Sequence, residues 1–284
     1  MRHKKCKSGR ASKPRGLGRL LMMLPFAGTL LYPVYLANQL DVCRETFVSD
    51  QLPAAFDGLT VAFAADIHYG QFFSEERVRA LAEKLNGLKP DVLVLGGDYG
   101  EDSDGALAFW KLRPGFAAGR LMAGVLGNHD RTLPESNKEK IMDAMRENGV
   151  MPLCNDAVLL RKDGHTLALA GIDDYYNGAP DAEKTAALCR DADFTLFLSH
   201  TPDALPDIKR PFYQLALCGH THGGQVAVLG HALHSSSDYG SKYLSGWYRI
   251  GGARVFVTNG VGTSALPVRL GARPQIHLIT LKRP

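Results

Sequence analysis

Five short motifs stand in order along the chain: Asp66-Ile67-His68, Gly96-Gly97-Asp98, Gly127-Asn128-His129-Asp130, Ser199-His200 and Gly219-His220-Thr221-His222. Carboxylate, amide oxygen and imidazole together are ligands for divalent cations. Such a mixture suits manganese, iron or zinc without choosing among them. Residues i and i+2 of an extended chain point to the same side, so Asp66 and His68 can share a cation and His220 and His222 can face one site. Two divalent cations about 3.5–4 Å apart can activate a bridging hydroxide and neutralise phosphoryl oxygens during in-line attack on phosphorus. Each fragment alone is weak. A single D-x-H arises by chance, a lone histidine after an apolar run is more often a core residue, and Asn-His-Asp can be a turn. The set carries weight because each fragment closes a short apolar run.

Those runs are the elements that must position the ligands. The pattern predicts strands over Thr60–Ala65, Val92–Leu95, Leu121–Leu126, Thr195–Leu198 and Leu215–Cys218. Ala157–Lys162 and Thr166–Gly171 flank Asp163-Gly164, a hairpin turn signal. Arg254–Thr258 and Ile276–Leu281 read as late strands. Helices are expected between strands: one carrying Val78, Leu81, Leu85 and Leu88 behind Ser74, one opened by a Ser136-x-x-Glu139 capping box and stopped at Gly149, and one over Ala182–Arg190. Early βαβ units followed by hairpins imply an α/β fold of mixed sheets covered by helices. In such folds ligands gather at strand ends. Glycines 96, 97, 127 and 219 let the backbone turn just before the ligands.

The chain has 284 residues, with ordinary hydrophobic and charged content for a globular protein. Its net charge of +4 is misleading. Arg2, Lys4, Lys5, Lys7, Arg10, Lys13, Arg15 and Arg19 precede any acid, so the remainder is mildly acidic and has no electrostatic footprint for nucleic acid. Residues 1–19 read as a basic cytoplasmic arm. Residues 20–40 carry no charge and read as a membrane anchor that leaves the following domain outside the cytoplasm. A cleaved signal peptide and a buried N-terminal helix are the other two readings of that stretch. Residues 41–58 read as a linker and 59–284 as the globular domain. The five cysteines are scattered and form no disulfide framework. Cys218, two residues before a proposed ligand, reads as a small buried hydrophobe.

The order D-x-H, G-G-D, G-N-H-D, H, G-H-x-H resembles the calcineurin-like metallophosphoesterase superfamily. Within it, Asp66–Gly70, Gly219–Gln225 and Val261–Arg269 resemble a membrane-associated bacterial branch related to YkuE and YaeI. The resemblance implies a four-layer αββα sandwich of two mixed sheets flanked by helices, with an N-terminal membrane segment. It implies that Asp66, His68 and His222 bind the first of two divalent metal ions, that Asn128, His200 and His220 bind the second, and that Asp98 bridges them. His129 would sit beside the metals as a catalytic group. The chain departs from the family at Ala65, where serine is common, and at Arg273-Pro274-Gln275, where the branch often has P-P-E. It departs also at Glu101, where aspartate is usual; Glu101 is expected to orient His129. Arg269 and the Tyr239–Tyr248 loop are candidates for substrate contact, with surface packing the other reading, and His231 and His234 read as loop residues.

The function implied is hydrolysis of a phosphomonoester, phosphodiester or pyrophosphate. The branch includes hydrolases of lipid-linked nucleotide sugars such as UDP-diacylglucosamine, so a phosphorylated small molecule or lipid-linked substrate is expected. No nucleic-acid partner is expected, and the sequence does not specify an oligomeric state. Two readings compete: a non-catalytic, metal-stabilised envelope binding module, and an intracellular nuclease.

Overall fold

In the computed structural model, residues 31–229 and 231–284 are described. The first sheet has six strands in the order β1 (Asp41–Val48), β14 (Gln275–Lys282), β2 (Thr60–Ala64), β3 (Val92–Leu95), β4 (Leu121–Gly124) and β5 (Met151–Pro152). β2 to β5 are parallel, β14 runs against β2, and β1 lies parallel to β14. The second sheet runs β12 (Gly246–Ile250), β13 (Ala253–Val257), β9 (Leu215–Cys218), β8 (Phe194–Leu198), β7 (His165–Gly171) and β6 (Asp156–Lys162). Its centre is parallel and its two edge pairs are antiparallel. A small hairpin, β10 (Ala227–Val228) with β11 (His231–Ala232), stands apart.

Strand alternation divides the core. Phe63, Val94 and Val125 face Leu169, Leu196, Leu217 and Phe256, so the two sheets share an apolar interior. The alternate residues Ala62, Ala64, Leu93 and Leu95 pack outward on Leu81, Leu85, Phe109, Trp110, Ile141 and Met145 of the helices. On the outer face of the second sheet, Ala168, Phe197, Ala216 and Val255 meet Cys189, Leu205, Tyr213 and Tyr243. Three cores separate four layers, the last holding one short helix, Ala182–Leu188, and loops. Mixed sheets flanked by helices are as expected, and Cys218 is the buried small hydrophobe anticipated.

Three expectations are corrected. Asp41–Val48 is not linker: all eight residues register with Gln275–Lys282 as the edge strand β1. Its alternating exposure, with Arg44 and Glu45 in the middle, makes an edge strand read as polar. Ser136 and Glu139 form no capping box. The helix Ser136–Glu147 begins after Glu135 with no side-chain cap, while Asn137 is drawn across to Ser103 Oγ and Asp104 Oδ1 (3.0 and 2.9 Å). The helix Ser103–Lys111 was not anticipated; Asp102 caps it by accepting from Gly105 N–H at 2.7 Å.

The membrane-anchor reading of residues 20–40 falls partly outside the described residues. Within them, 31–36 are helical, Leu36 and Ala37 are buried, and Pro33 O accepts from Arg269 N–H at 2.9 Å. Arg77 Nη2 donates to Ala37 O at 3.1 Å. The end of the apolar stretch is therefore part of the folded domain, and among the described residues no helix is long and apolar enough to cross a membrane.

Candidate metal centre

The C-terminal ends of β2, β3 and β4 in one sheet and of β8 and β9 in the other carry the five motifs. The turns after β2 and β3 are laced together: Asp66 N–H donates to Gly97 O (3.0 Å), and Ile67 and His68 N–H both donate to Asp98 O (2.9 and 3.0 Å). The reason Asp66 and His68 converge differs from the extended-chain argument. β2 stops at Ala64, and both residues are left-handed, with φ of 56° and 50°. Asp98 (53°), His220 (70°) and His222 (52°) share that conformation, which non-glycine residues avoid. Five of the seven expected ligands are thus held in backbone states that persist only where surrounding structure over-determines them, as at functional sites. Gly127 is needed for space rather than for its φ, since a Cβ there would lie 2.2 Å from Asp98 Oδ1.

The side chains form two overlapping groups. In the first, His68 Nε2 lies 3.0 Å from His222 Nε2, and Asp66 completes a set whose ligand atoms lie within 4.8 Å of one another. Asp66 Oδ1 accepts from His220 N–H, but Oδ2 is buried without a hydrogen-bond partner. In the second, Asn128 Oδ1 lies 3.1 Å from His200 Nε2 and 2.9 Å from His220 Nδ1, and the two ring nitrogens are 3.3 Å apart. Asp98 Oδ2 is 3.5 Å from His68 Nε2 and 3.2 Å from His200 Nε2, so one carboxylate oxygen reaches both groups. A cluster of buried carboxylates and imidazoles with one half-buried amide, and with an orphaned carboxylate oxygen, fits divalent cations.

The electrostatics agree. Burial lowers His68 to about 3 and His220 to about 4, keeping these imidazoles neutral with lone pairs available. Burial raises Asp66 to about 7. Burial opposes charge on His200 too, yet Asp98, with help from Asp66 and Asp174, raises it to about 10. The field there favours a positive charge.

His129 stands at the edge, its ring 4.8 Å from that of His68 and its Nδ1 2.7 Å from Glu101 O. A carbonyl only accepts, so Nδ1 carries the proton and Nε2 is the nitrogen left for chemistry. Burial would lower this imidazole, but Asp98 and the Glu101 carbonyl outweigh it and hold it above the ordinary histidine value. His129 also falls within 4.8 Å of ligand atoms of His68 and Asp98. Glu101 thus meets His129 through its backbone, while its own residue is exposed; the expected orienting carboxylate is corrected.

Arg269 is also corrected as a substrate contact. Its side chain is wholly buried behind His222, donating to His222 O (2.9 Å), Asn259 O (2.7 Å) and Gly262 O (3.1 Å), with Nη2 3.1 Å from His222 Nδ1. The guanidinium lies on the Nδ1 side of His222, which leaves Nε2 turned towards His68. In the 239–248 loop, Tyr243 is buried, the rings of Tyr239, Tyr243 and Tyr248 pack in sequence, and Lys242 lies over two of them, as the packing reading had it. His234 is an exposed loop residue, as expected; His231, also exposed, is corrected, because it opens the strand β11 opposite Val228.

Sequence reading gave no role to Asp130, Asp174, Tyr176 or Asn177. Asp130 is fully buried and accepts from Asp98, Tyr99 and Gly127 N–H (2.8, 2.9 and 2.9 Å), tying two ligand turns together. Asp174 accepts from Tyr176 and Asn177 N–H, Asn177 Nδ2 reaches Asn128 O at 2.8 Å, and the Tyr176 ring lies 5.2 Å from His220. The signal was the Asp173-Asp174 pair just after the apolar run of β7, the same strand-end pattern as the ligands.

Residues 59–224 match the profile of calcineurin-like phosphoesterases. The chain is similar to the uncharacterized metallophosphoesterase YkuE of Bacillus subtilis, at 30% identity over 249 residues covering 86% of each chain. It is similar to phosphodiesterase YaeI of Escherichia coli at 30% identity over 227 residues, 78% of this chain and 81% of that one. A Bos taurus transmembrane protein with a metallophosphoesterase domain is 29% identical over 296 residues, 96% of this chain and 65% of its own length.

Proposed function

This chain belongs to the calcineurin-like phosphoesterase family and is a metal-dependent phosphoesterase; from that premise we propose a dinuclear, membrane-associated hydrolase in which Asp66, His68 and His222 hold one cation, Asn128, His200 and His220 hold the other, and Asp98 joins them. The observation that carries this reading is Asp98 Oδ2, within 3.5 Å of a nitrogen from each group. Divalent cations, when bound, supply Lewis acidity towards phosphoryl oxygens and lower the pKa of a water.

The chain's own residues do the rest. The left-handed turns fix the ligands before substrate arrives. His129, with Nδ1–H pinned to Glu101 O, presents Nε2 to the rim, where the imidazolium form donates a proton to the leaving oxygen. The Tyr176 ring beside His220 forms one wall. A non-catalytic binding module has no use for His129 in this pose, so the catalytic reading is favoured.

The substrate class proposed first is a phosphodiester, as in the name of YaeI. A lipid-linked or envelope phosphoester, such as a UDP-diacylglucosamine-like molecule, comes second. The charge-free residues 20–32 and the transmembrane relative support membrane association. Purified protein is to be loaded with manganese, iron or zinc and assayed on monoesters, diesters and pyrophosphates. Metal-dependent hydrolysis of diesters is expected. Hydrolysis of none of the three classes with any metal would overturn the catalytic proposal.

A further inference from the structure

Three uncharged segments meet beside the metal centre. Between Pro211 and Ser237, and again between Val255 and Val268, there is no Asp, Glu, Lys or Arg, and the same holds for residues 20–40. Their described parts are stitched together in space. Leu270 N–H donates to Gln225 O and Ala227 N–H to Leu270 O (2.9 and 2.8 Å), Gln225 Nε2 donates to Ser264 O and Leu266 O, and Arg269 N–H reaches Pro33 O. On their outer side large apolar residues face solvent: Leu229 is 95% exposed, Leu233 77% and Leu266 62%, with Val228, Leu31, Tyr32 and Tyr35 also exposed. A groove of about 390 Å³ runs between Leu233 and Leu266 and reaches His222 itself.

Isolated exposed leucines need no explanation, but a contiguous apolar patch marks an interaction site. The elements beneath it would allow polar residues. Leu229 and Leu233 belong to a short hairpin and its exit rather than to a core strand, so nothing in the fold demands leucine there. The rim has the composition of a membrane interface, with Tyr32, Tyr35 and Tyr239 exposed and Lys242 lying over the Tyr239 ring. The chain enters the described structure at Leu31, two residues before Pro33, whose carbonyl is held by Arg269 three residues after Leu266, and directly after the charge-free residues 20–30. Because Pro33 to Leu40 are committed to the domain, only the thirteen uncharged residues from Leu20 to Tyr32 are free to enter lipid. As a helix they extend about 20 Å, against about 30 Å for a hydrocarbon core.

We propose that this face, carried by Leu229, Leu233 and Leu266, rests in the interfacial layer of a lipid bilayer and turns the metal centre towards phosphoesters at the membrane surface. The occupant is the lipid surface rather than a second copy of the chain, because the described structure begins, directly after the charge-free residues 20–30, at Leu31, two residues before the Pro33–Arg269 link. The inference rests on the proposed membrane association and adds to it which face is turned to the lipid. It does not depend on which phosphoester is cleaved.

The test uses the full chain with phosphatidylcholine vesicles whose acyl chains are brominated near the headgroup. Tryptophans are added by Leu229→Trp and Leu266→Trp on the face, and by Leu188→Trp, an exposed control on the helix packed against the second sheet, each read as the difference from the parent chain, whose own Trp110 and Trp247 set the background. The inference expects emission from the first two to be quenched by brominated over plain vesicles and that from the control not to be. Flotation of the full chain reads membrane association separately, and hydrolysis of a soluble diester reads catalysis separately. A chain that floats while all three positions stay unquenched would leave the membrane association standing and overturn this face. Quenching equal at Leu188 would overturn it too, as would failure to float, or a dimer that Leu229→Trp dissociates.

Discussion

At the scale of single residues, the centre is built from side chains whose protonation is set by burial and by one another. Asp66 at about 7 and His200 at about 10 must both give up protons to serve as ligands. Protons and cations therefore compete, with a definite sign: affinity for the divalent ion rises with pH, most steeply below about 7, where both groups must lose a proton, and less steeply from there to about 10, where only His200 must, and uptake releases protons. Calorimetric titration in buffers of differing ionisation enthalpy reads that release; uptake without proton release would contradict the assignment. His129→Ala is expected to keep its metals and lose about 10²–10⁴-fold in kcat on an ester with a poor leaving group. A nitrophenyl ester, which leaves without protonation, should suffer less. Loss of a metal in that variant, read by elemental analysis, would make His129 a ligand, and equal losses on both esters would assign it charge stabilisation instead.

Arg269 behaves differently from a substrate contact because its guanidinium never reaches the surface. Arg269→Met strips donors from the buried carbonyls behind His222, and each buried acceptor left bare costs about 1–3 kcal/mol. A lowered Tm and weakened metal retention are expected, with no selective rise in KM. A KM effect alone, at unchanged Tm and metal content, would restore the contact role.

At the scale of elements, the strands that hold the ligands were legible because they are short, apolar and buried on both faces, and each ends in a polar residue that an ordinary strand does not need. Thr60–Ala64, Val92–Leu95 and Leu215–Cys218 match their expected spans within a residue. β1 was not legible, since an edge strand alternates and its pairing with β14 is decided by residues more than two hundred positions away. The left-handed turns at Asp66, His68 and Asp98 were invisible for a related reason: they are imposed by contacts between turns, not by local propensity. Asp130 is the clearest of these contacts. Asp130→Asn can no longer offer two carboxylate oxygens to three backbone N–H groups, so it should loosen the turns after β3 and β4 together. The expected outcome is a lower Tm and weaker retention of both metals; unchanged metal content would contradict the tie.

At the scale of the whole molecule, two sheets bring their strand ends to one rim, and the chain's N-terminal stretch joins that rim instead of leaving through a linker. Removing residues 1–40 deletes buried Leu36 and Ala37 and the Pro33–Arg269 link and should lower Tm relative to removing residues 1–30. Equal melting of the two truncations would contradict that packing. The central claim is that one carboxylate unites two cation sites. Metal content per chain, measured together with diester hydrolysis for the wild type and Asp98→Ala, tests it most directly. The account predicts two divalent ions and metal-dependent turnover in the wild type, with both lost in Asp98→Ala. Two retained metals and near-normal turnover in that variant would contradict it.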